Sequence, residues 1–269
     1  MTPATFVRDV RYAVRMLFRN PGFTTIALLT FAVGIGVNTA VFSVFNGVLL
    51  RPLPYPDADR ITMMWLDNRP AGIKEDIGSY PNYLDWRAQS QSYDQVAAFT
   101  GANFTLTGSE EPERLRGAQT TANFFSVVGL QPVLGRLYTE ANETPGQDRV
   151  VLISHGLWQR KFGGRNDVLE QTLTLNGQPF EIIGVMPAEL RMPSDAQVWK
   201  PLAPGNDLRE ARGSFWLPVI GKLKPGVTAR DAQTEMSAIA SRIEQTYPAQ
   251  MQGFGAYIVP LHKQIVGQI

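Results

Sequence analysis

Apolar and polar positions along this chain fall into three textures. Residues 1–22 alternate at helical spacing: Arg8, Arg11, Arg15 and Arg19 recur at intervals of 3, 4 and 4, while Phe6, Val10, Val14, Leu17 and Phe18 take the other side. This pattern predicts an amphipathic basic helix suited to the inner leaflet of a membrane, ended by Asn20-Pro21-Gly22. From Phe23 to Leu50 no charged residue occurs, and 15 of 28 positions are Leu, Ile, Val or Phe. Those side chains favour insertion by about −4 to −9 kcal/mol before polar costs, and about 20 residues suffice to span a bilayer. The run is too long for the apolar region of a signal peptide, and Arg51-Pro52-Leu53-Pro54-Tyr55-Pro56 offers no small-residue cleavage site. An uncleaved transmembrane helix is the reading.

Beyond residue 51 the texture is that of a soluble domain. Strands are predicted at Arg60–Leu66, Val96–Thr107 with a break near Gly101, Glu113–Thr120 and Val150–Ile153. Short helices are predicted at Tyr80–Ser90, at Ala122–Val128 before Gly129, and at His155–Phe162 before Gly163-Gly164. Thr172–Leu175, Asn176-Gly177 and Phe180–Val185 read as a hairpin. After a strand at Phe215–Leu223 and the Lys224-Pro225-Gly226 turn, Thr228 and Asp231 form the start of a long helix, Ala229–Tyr247, with a final strand at Gly255–Leu261. Strand–helix–strand at each end with a β-rich middle predicts an α+β fold: a split βαβ, ferredoxin-like layer with an inserted β-rich subdomain. The expected division is 1–22, 23–50 and 51–269, the last comprising a split layer at about 57–140 and 213–263 and an insert at about 145–212.

Charge fixes the expected orientation. Residues 1–20 hold four arginines against Asp9, +3, which leaves −2 for the rest of a chain of net charge +1. The basic excess before the helix places the N-terminus in the cytoplasm and residues 51–269 outside it, periplasmic in a cell with two membranes. Nothing in that balance advertises nucleic acid. Within the apolar run, Ala32, Gly36 and Ala40 are spaced by four, which lets a second helix approach closely, and Asn38 and Asn46 are polar groups in lipid. These features suit a helix in a bundle.

Chemistry is sparse. There is no cysteine, and His155 and His262 lie far apart with no ligand at metal spacing. Ser154 beside His155 reads as a helix cap rather than a nucleophile–base pair. Glu110, Glu111 and Glu113 read as a solvated turn, Asp231 with Glu235 as a surface pair, and the five tryptophans as packing residues. No catalytic constellation, cofactor site or metal site is found, and no Gly-Lys-Ser/Thr phosphate loop occurs.

Several segments carry a resemblance. Arg15-Met16-Leu17-Phe18-Arg19-Asn20-Pro21-Gly22-Phe23-Thr24, Gly34-Ile35-Gly36-Val37-Asn38-Thr39-Ala40 and Leu50-Arg51-Pro52-Leu53-Pro54-Tyr55-Pro56 are followed by Tyr80-Pro81-Asn82-Tyr83-Leu84-Asp85-Trp86, Asn123-Phe124-Phe125-Ser126-Val127-Val128-Gly129, Ile183-Gly184-Val185-Met186-Pro187 and Leu223-Lys224-Pro225-Gly226-Val227-Thr228. Together they resemble the N-terminal part of MacB/FtsX-type ABC transporter permeases, especially the duplicated acidobacterial type. The resemblance implies a periplasmic core domain, a separate cytoplasmic ABC ATPase subunit, a second permease half or a homodimer, and a periplasmic adaptor. It also implies mechanotransmission, in which ATP-driven helix shifts move periplasmic domains for efflux or envelope export. Such permeases carry at least three further membrane helices, and here the sequence stops at Gln264–Ile269, about where the second should approach. A truncated, membrane-anchored binding or sensor module and an anchored periplasmic enzyme therefore stand beside the permease reading.

Overall fold

The structure, a computed structural model, describes residues 8, 11–12, 15–49, 53–108 and 111–267. The chain forms two compact units that divide between Pro52 and Leu53.

In the first unit, α1 (Pro21–Leu49) is 29 residues long. At 1.5 Å per residue it measures about 44 Å, more than the roughly 30 Å hydrocarbon core. The described positions before it, including 15–19, are also helical, and the break is confined to Asn20. Pro21 starts the new helix because its missing N–H falls where no intrahelical bond is due. The Thr24 hydroxyl donates to the carbonyls of Leu17 and Asn20, at 2.7 and 3.0 Å, and so satisfies groups that the break would orphan.

The second unit opens with β1 (Ile61–Asn68), the short β2 (Ile73–Asp76), α2 (Tyr80–Gln89) and β3 (Tyr93–Thr107). β4 (Glu113–Thr120), α3 (Phe124–Val128) and the two-residue β5 (Leu134–Gly135) follow. Next come β6 (Val150–Ser154), α4 (His155–Phe162), β7 (Thr172–Leu175), β8 (Gln178–Met186) and β9 (Val198–Pro201). α5 (Asn206–Glu210), β10 (Val219–Leu223), α6 (Ala229–Thr246), α7 (Pro248–Met251), β11 (Phe254–Pro260) and α8 (Leu261–Val266) complete it.

Strands β11, β1, β10 and β3 lie side by side in that order, every neighbour antiparallel. Two βαβ units, β1–α2–β3 and β10–α6–β11, thus interleave so that each returning strand skips over one from the other unit. This is the split βαβ, ferredoxin-like layer, and the α+β expectation is borne out. Its helix face buries Met64, Leu66, Val96, Val219 and Ile258 against Tyr83 and Trp86 of α2 and Met236, Ile239 and Ile243 of α6. Alternate residues, Ile61, Met63, Ala97 and Ile220, point to the opposite face, as strand pleating requires.

The inserted strands close on themselves. β3 pairs with β4, β4 with β9, β9 with β6, β6 with β8, β8 with β7, and β7 returns to β3. Closure removes the exposed edges that an open sheet would leave. Inside the ring sit Phe104, Leu115, Val151, Ile153, Ile182 and Val198, plugged by Leu157 of α4. Gly117 faces inward too: a Cβ there would lie 2.5 Å from the Phe104 ring and 2.7 Å from Val198, so only glycine fits without displacement.

The ring differs from the sequence expectation in two places. β3 has no break at Gly101; its 15 residues run straight from the layer into the ring. β4 also belongs to the ring, so two of its strands come from before residue 145. The physical reason is that a strand of about 50 Å outreaches a layer of average strand length. A third core lies between layer and ring. It joins Ile61, Met63, Phe99 and Ile220 to Leu152, Ile183 and Trp199, with Phe124 and Phe125 of α3 at its centre. Phe99, Phe124, Phe125 and Tyr138 stack edge to face in series at 5.5–5.6 Å.

Candidate functional site

The apolar helix presents its small residues to open surroundings. Ala32, Gly36 and Asn38 are exposed, and a Cβ added at Gly34 or Gly36 would meet nothing within 4 Å. Ala40 lies on the same helix, its side chain outside the described set. Asn38 is two residues beyond Gly36, about 200° round the helix, and so lies away from the Ala32/Gly36 stripe. Its amide donates to the Gly34 carbonyl at 2.8 Å, which gives that donor a partner within the helix itself. Arg8, Arg11, Arg15 and Arg19 are all helical and exposed. Among the described residues α1 alone is long and apolar enough to cross a membrane.

The more developed arrangement lies where the chain joins the layer. Thr62 pairs with Pro260, so the strand that leads in and the strand that leads out meet at one end of the sheet. The lead-in residues 53–60 are fastened there on several sides. Arg60 donates through Nε and Nη2 to the Leu223 carbonyl at the end of β10, at 2.8 and 2.6 Å. Asp57, held at φ 54° as the cap of a short 3₁₀ turn, lies 3.3 Å from Arg60 and 3.0 Å from Lys222. The Lys222 hydrogen bond, then its charge, keeps the Asp57 carboxyl below the usual carboxylate range.

Tyr55 is buried in the core between layer and ring, in one cluster with Leu190, Met192 and Ala196 of the β8–β9 connection. Burial pushes its phenol up, and the nearby Arg191 and Met192 backbone offsets part of the rise. Pro56 packs on Gly129, the left-handed cap of α3, where a Cβ would approach it to 3.2 Å. On the lead-out side Leu261 is buried, and the Trp65 indole donates to the Gln264 side chain at 3.0 Å. None of these contacts was singled out from sequence. The available signal was the tyrosine set between prolines at 54 and 56; the partners at 191, 222 and 223 carry no local mark.

Other sequence candidates resolve into structural roles. Asp231 closes the capping box with Thr228. Glu235 accepts the backbone N–H groups of Gln91 and Ser92, at 2.6 and 2.8 Å, and pins the α2–β3 connection. Ser154 caps α4, and His155 packs edge to face on Trp158. Glu113 pairs with Arg160 and Lys161; Glu110 lies outside the described residues. Trp86 and Trp199 are fully buried. Two cavities of about 290 and 330 Å³ open at the ring mouth and beside α4. Ser154 and Asp195 both line the second, but no hydrogen bond joins them and the Ser154 hydroxyl caps α4 through the Leu157 N–H at 3.1 Å; no group of three metal-ligating side chains occurs among the described residues.

Layer, closed ring and fastened lead-in define an α+β domain that follows an apolar helix. The sequence profile of the MacB-like periplasmic core domain matches residues 24–239, and the chain belongs to that family. Solved structures share the fold at low identity. A domain of a permease protein from Porphyromonas gingivalis aligns with a TM-score of 0.58 at 16% identity, covering 77% of this chain and 92% of that one. The periplasmic region of MacB from Actinobacillus actinomycetemcomitans gives 0.54 at 17% identity, covering 78% and 92%. The extracellular domain of the noncanonic ABC-type transporter YknZ from Gram-positive bacteria gives 0.52 at 16%, covering 73% and 99%. A search of curated protein sequences returned no match.

Proposed function

We propose that this chain is part of an ABC transporter permease that works by mechanotransmission. In this reading α1 crosses the inner membrane with residues 1–22 in the cytoplasm, where the arginine face meets anionic lipid. The soluble unit lies outside. A separate ATPase drives helix movement, and the soluble unit moves in response, serving efflux or envelope export together with a second permease half or a second copy and a periplasmic adaptor.

The observation that carries the proposal is the fastened lead-in of a domain belonging to a permease family. A flexible tether would suffice for a passive anchored module. Here the chain that leaves the apolar helix is bound instead through Arg60, Asp57 and Tyr55 to the body it would have to move. The arginine asymmetry supports the orientation.

A phosphatase reporter active only outside the cytoplasm, fused after Thr107, is expected to be active. The purified chain is expected not to bind ATP, since its sequence has no phosphate loop. An inactive fusion on an intact chain, or stoichiometric ATP binding, would contradict the proposal.

A further inference from the structure

We infer that the Tyr55–Arg60 segment is a two-footed mount that delivers displacement to layer and ring together. One foot stands on the layer: Arg60 holds the Leu223 carbonyl, and Asp57 bridges to Lys222 on the same strand. The other stands on the inserted part: the Tyr55 ring is buried between layer and ring, in one cluster with Leu190, Met192 and Ala196 of the loop that leads into β9.

The geometry makes both feet necessary. With the layer foot alone, a push on residue 53 would pivot the lead-in about β10 and leave the ring to follow through the shared core. With the ring foot alone, the 3₁₀ turn at 58–60 would act as a hinge. The αL backbone at Asp57 sets the turn that aims one foot each way. A residue at positive φ with a charged side chain on two cations is a specified bend, because the conformation is costly for a non-glycine residue. Lys222 and Tyr55 are thus positioning residues for force transfer.

This inference takes its purpose from the proposed permease role, but its test needs neither nucleotide nor partner. Absence of ATP-driven motion would sink that role and leave the mount standing. The test is pulsed spin-label distance measurement on the full chain in lipid nanodiscs, where the absence of native cysteine keeps labelling specific. Labels at Pro54→Cys and Glu170→Cys report the ring foot. Pro54→Cys with Gln245→Cys reports the layer foot, and Glu170→Cys with Gln245→Cys reports the body; all three sites are exposed.

Tyr55→Ala is expected to broaden the 54–170 distribution about twofold, and Arg60→Ala with Lys222→Ala to broaden 54–245 by a similar factor, with 170–245 unchanged in both. If Tyr55→Ala does not fold, Tyr55→Leu, which keeps apolar bulk but removes the ring, is read the same way. An unchanged width in either foot overturns the inference. Broadening of 170–245 in step with the others also overturns it, because the body rather than the mount would then have loosened.

Discussion

Replacing Phe124 by alanine tests whether layer and ring are one mechanical body. Phe124 is fully buried and meets Phe99 of β3 at 5.6 Å and Phe125 at 5.5 Å, both edge to face. Truncating a buried phenylalanine costs about 3–5 kcal/mol through lost transfer energy and the cavity left behind. Loss of two oriented aromatic contacts argues for the upper half of that range, about 4 kcal/mol, because each is worth roughly 0.5–1.5 kcal/mol beyond burial and the terms overlap. With a urea slope of about 3 kcal/mol/M for a domain of this size, the midpoint falls by roughly 1.3 M.

The assay is urea unfolding with hydrogen exchange read separately for β10 amides in the layer and β6 amides in the ring. Both sets are expected to lose protection at the same lowered midpoint, since the core around Phe124 takes residues from both parts. A fall confined to one set, or two separated transitions, would refute the single-body reasoning. Val133→Ala, at a side chain 56% exposed, is the control and should move the midpoint little.

Two further predictions are independent of it. Glu143 is buried, accepts the Ala122 N–H at 2.7 Å, and faces Glu140, Arg87 and Arg209; burial raises its carboxyl above the ordinary range. Its charged form is therefore the costly one in the fold, so its contribution is most favourable below the unfolded-state value near 4.5 and declines as pH rises through the folded-state value. Glu143→Gln, which keeps an acceptor for Ala122, should raise the urea midpoint at pH 7.5 and not at pH 4; a loss at pH 7.5 that is absent at pH 4 would show that the carboxylate is needed as such. In membranes where the chain assembles with its partners, Gly36→Leu should weaken cross-linking to a neighbouring helix and leave integration intact, because leucine inserts well and a Cβ here meets nothing within 4 Å among the described residues. Unchanged cross-linking would assign the stripe to lipid.

What could be read in the sequence was what is local. The capping box of Thr228 and Asp231 fixed the start of α6, and Asn176-Gly177, both at positive φ, fixed the β7–β8 hairpin. Gly129 and Gly163 ended their helices because a glycine in the left-handed conformation turns its N–H back onto the last carbonyls. The ring was not legible. Its closure rests on two residue pairs, Leu106 with Leu175 and Thr107 with Thr174, and on β9, four residues ending in proline with no alternation to find. The mount was hidden for the same reason, since Arg60 and its acceptor Leu223 are 163 positions apart. Residue type alone does not give the setting of Asn38, whose spacing puts it across the helix from Gly36 and whose amide donates to the Gly34 carbonyl of its own helix.

In the proposed role, ATP hydrolysed on one side of the membrane moves this domain on the other. A single cysteine at Pro54, in an otherwise cysteine-free chain, can be reacted from outside with a membrane-impermeant maleimide in spheroplasts that contain the partner ATPase. Labelling from outside is expected in every state, with a rate that changes about tenfold or more when the ATPase is trapped with vanadate and returns on washing out the trap. An identical rate with and without the trap, on a chain shown to be bound to its ATPase, would contradict it.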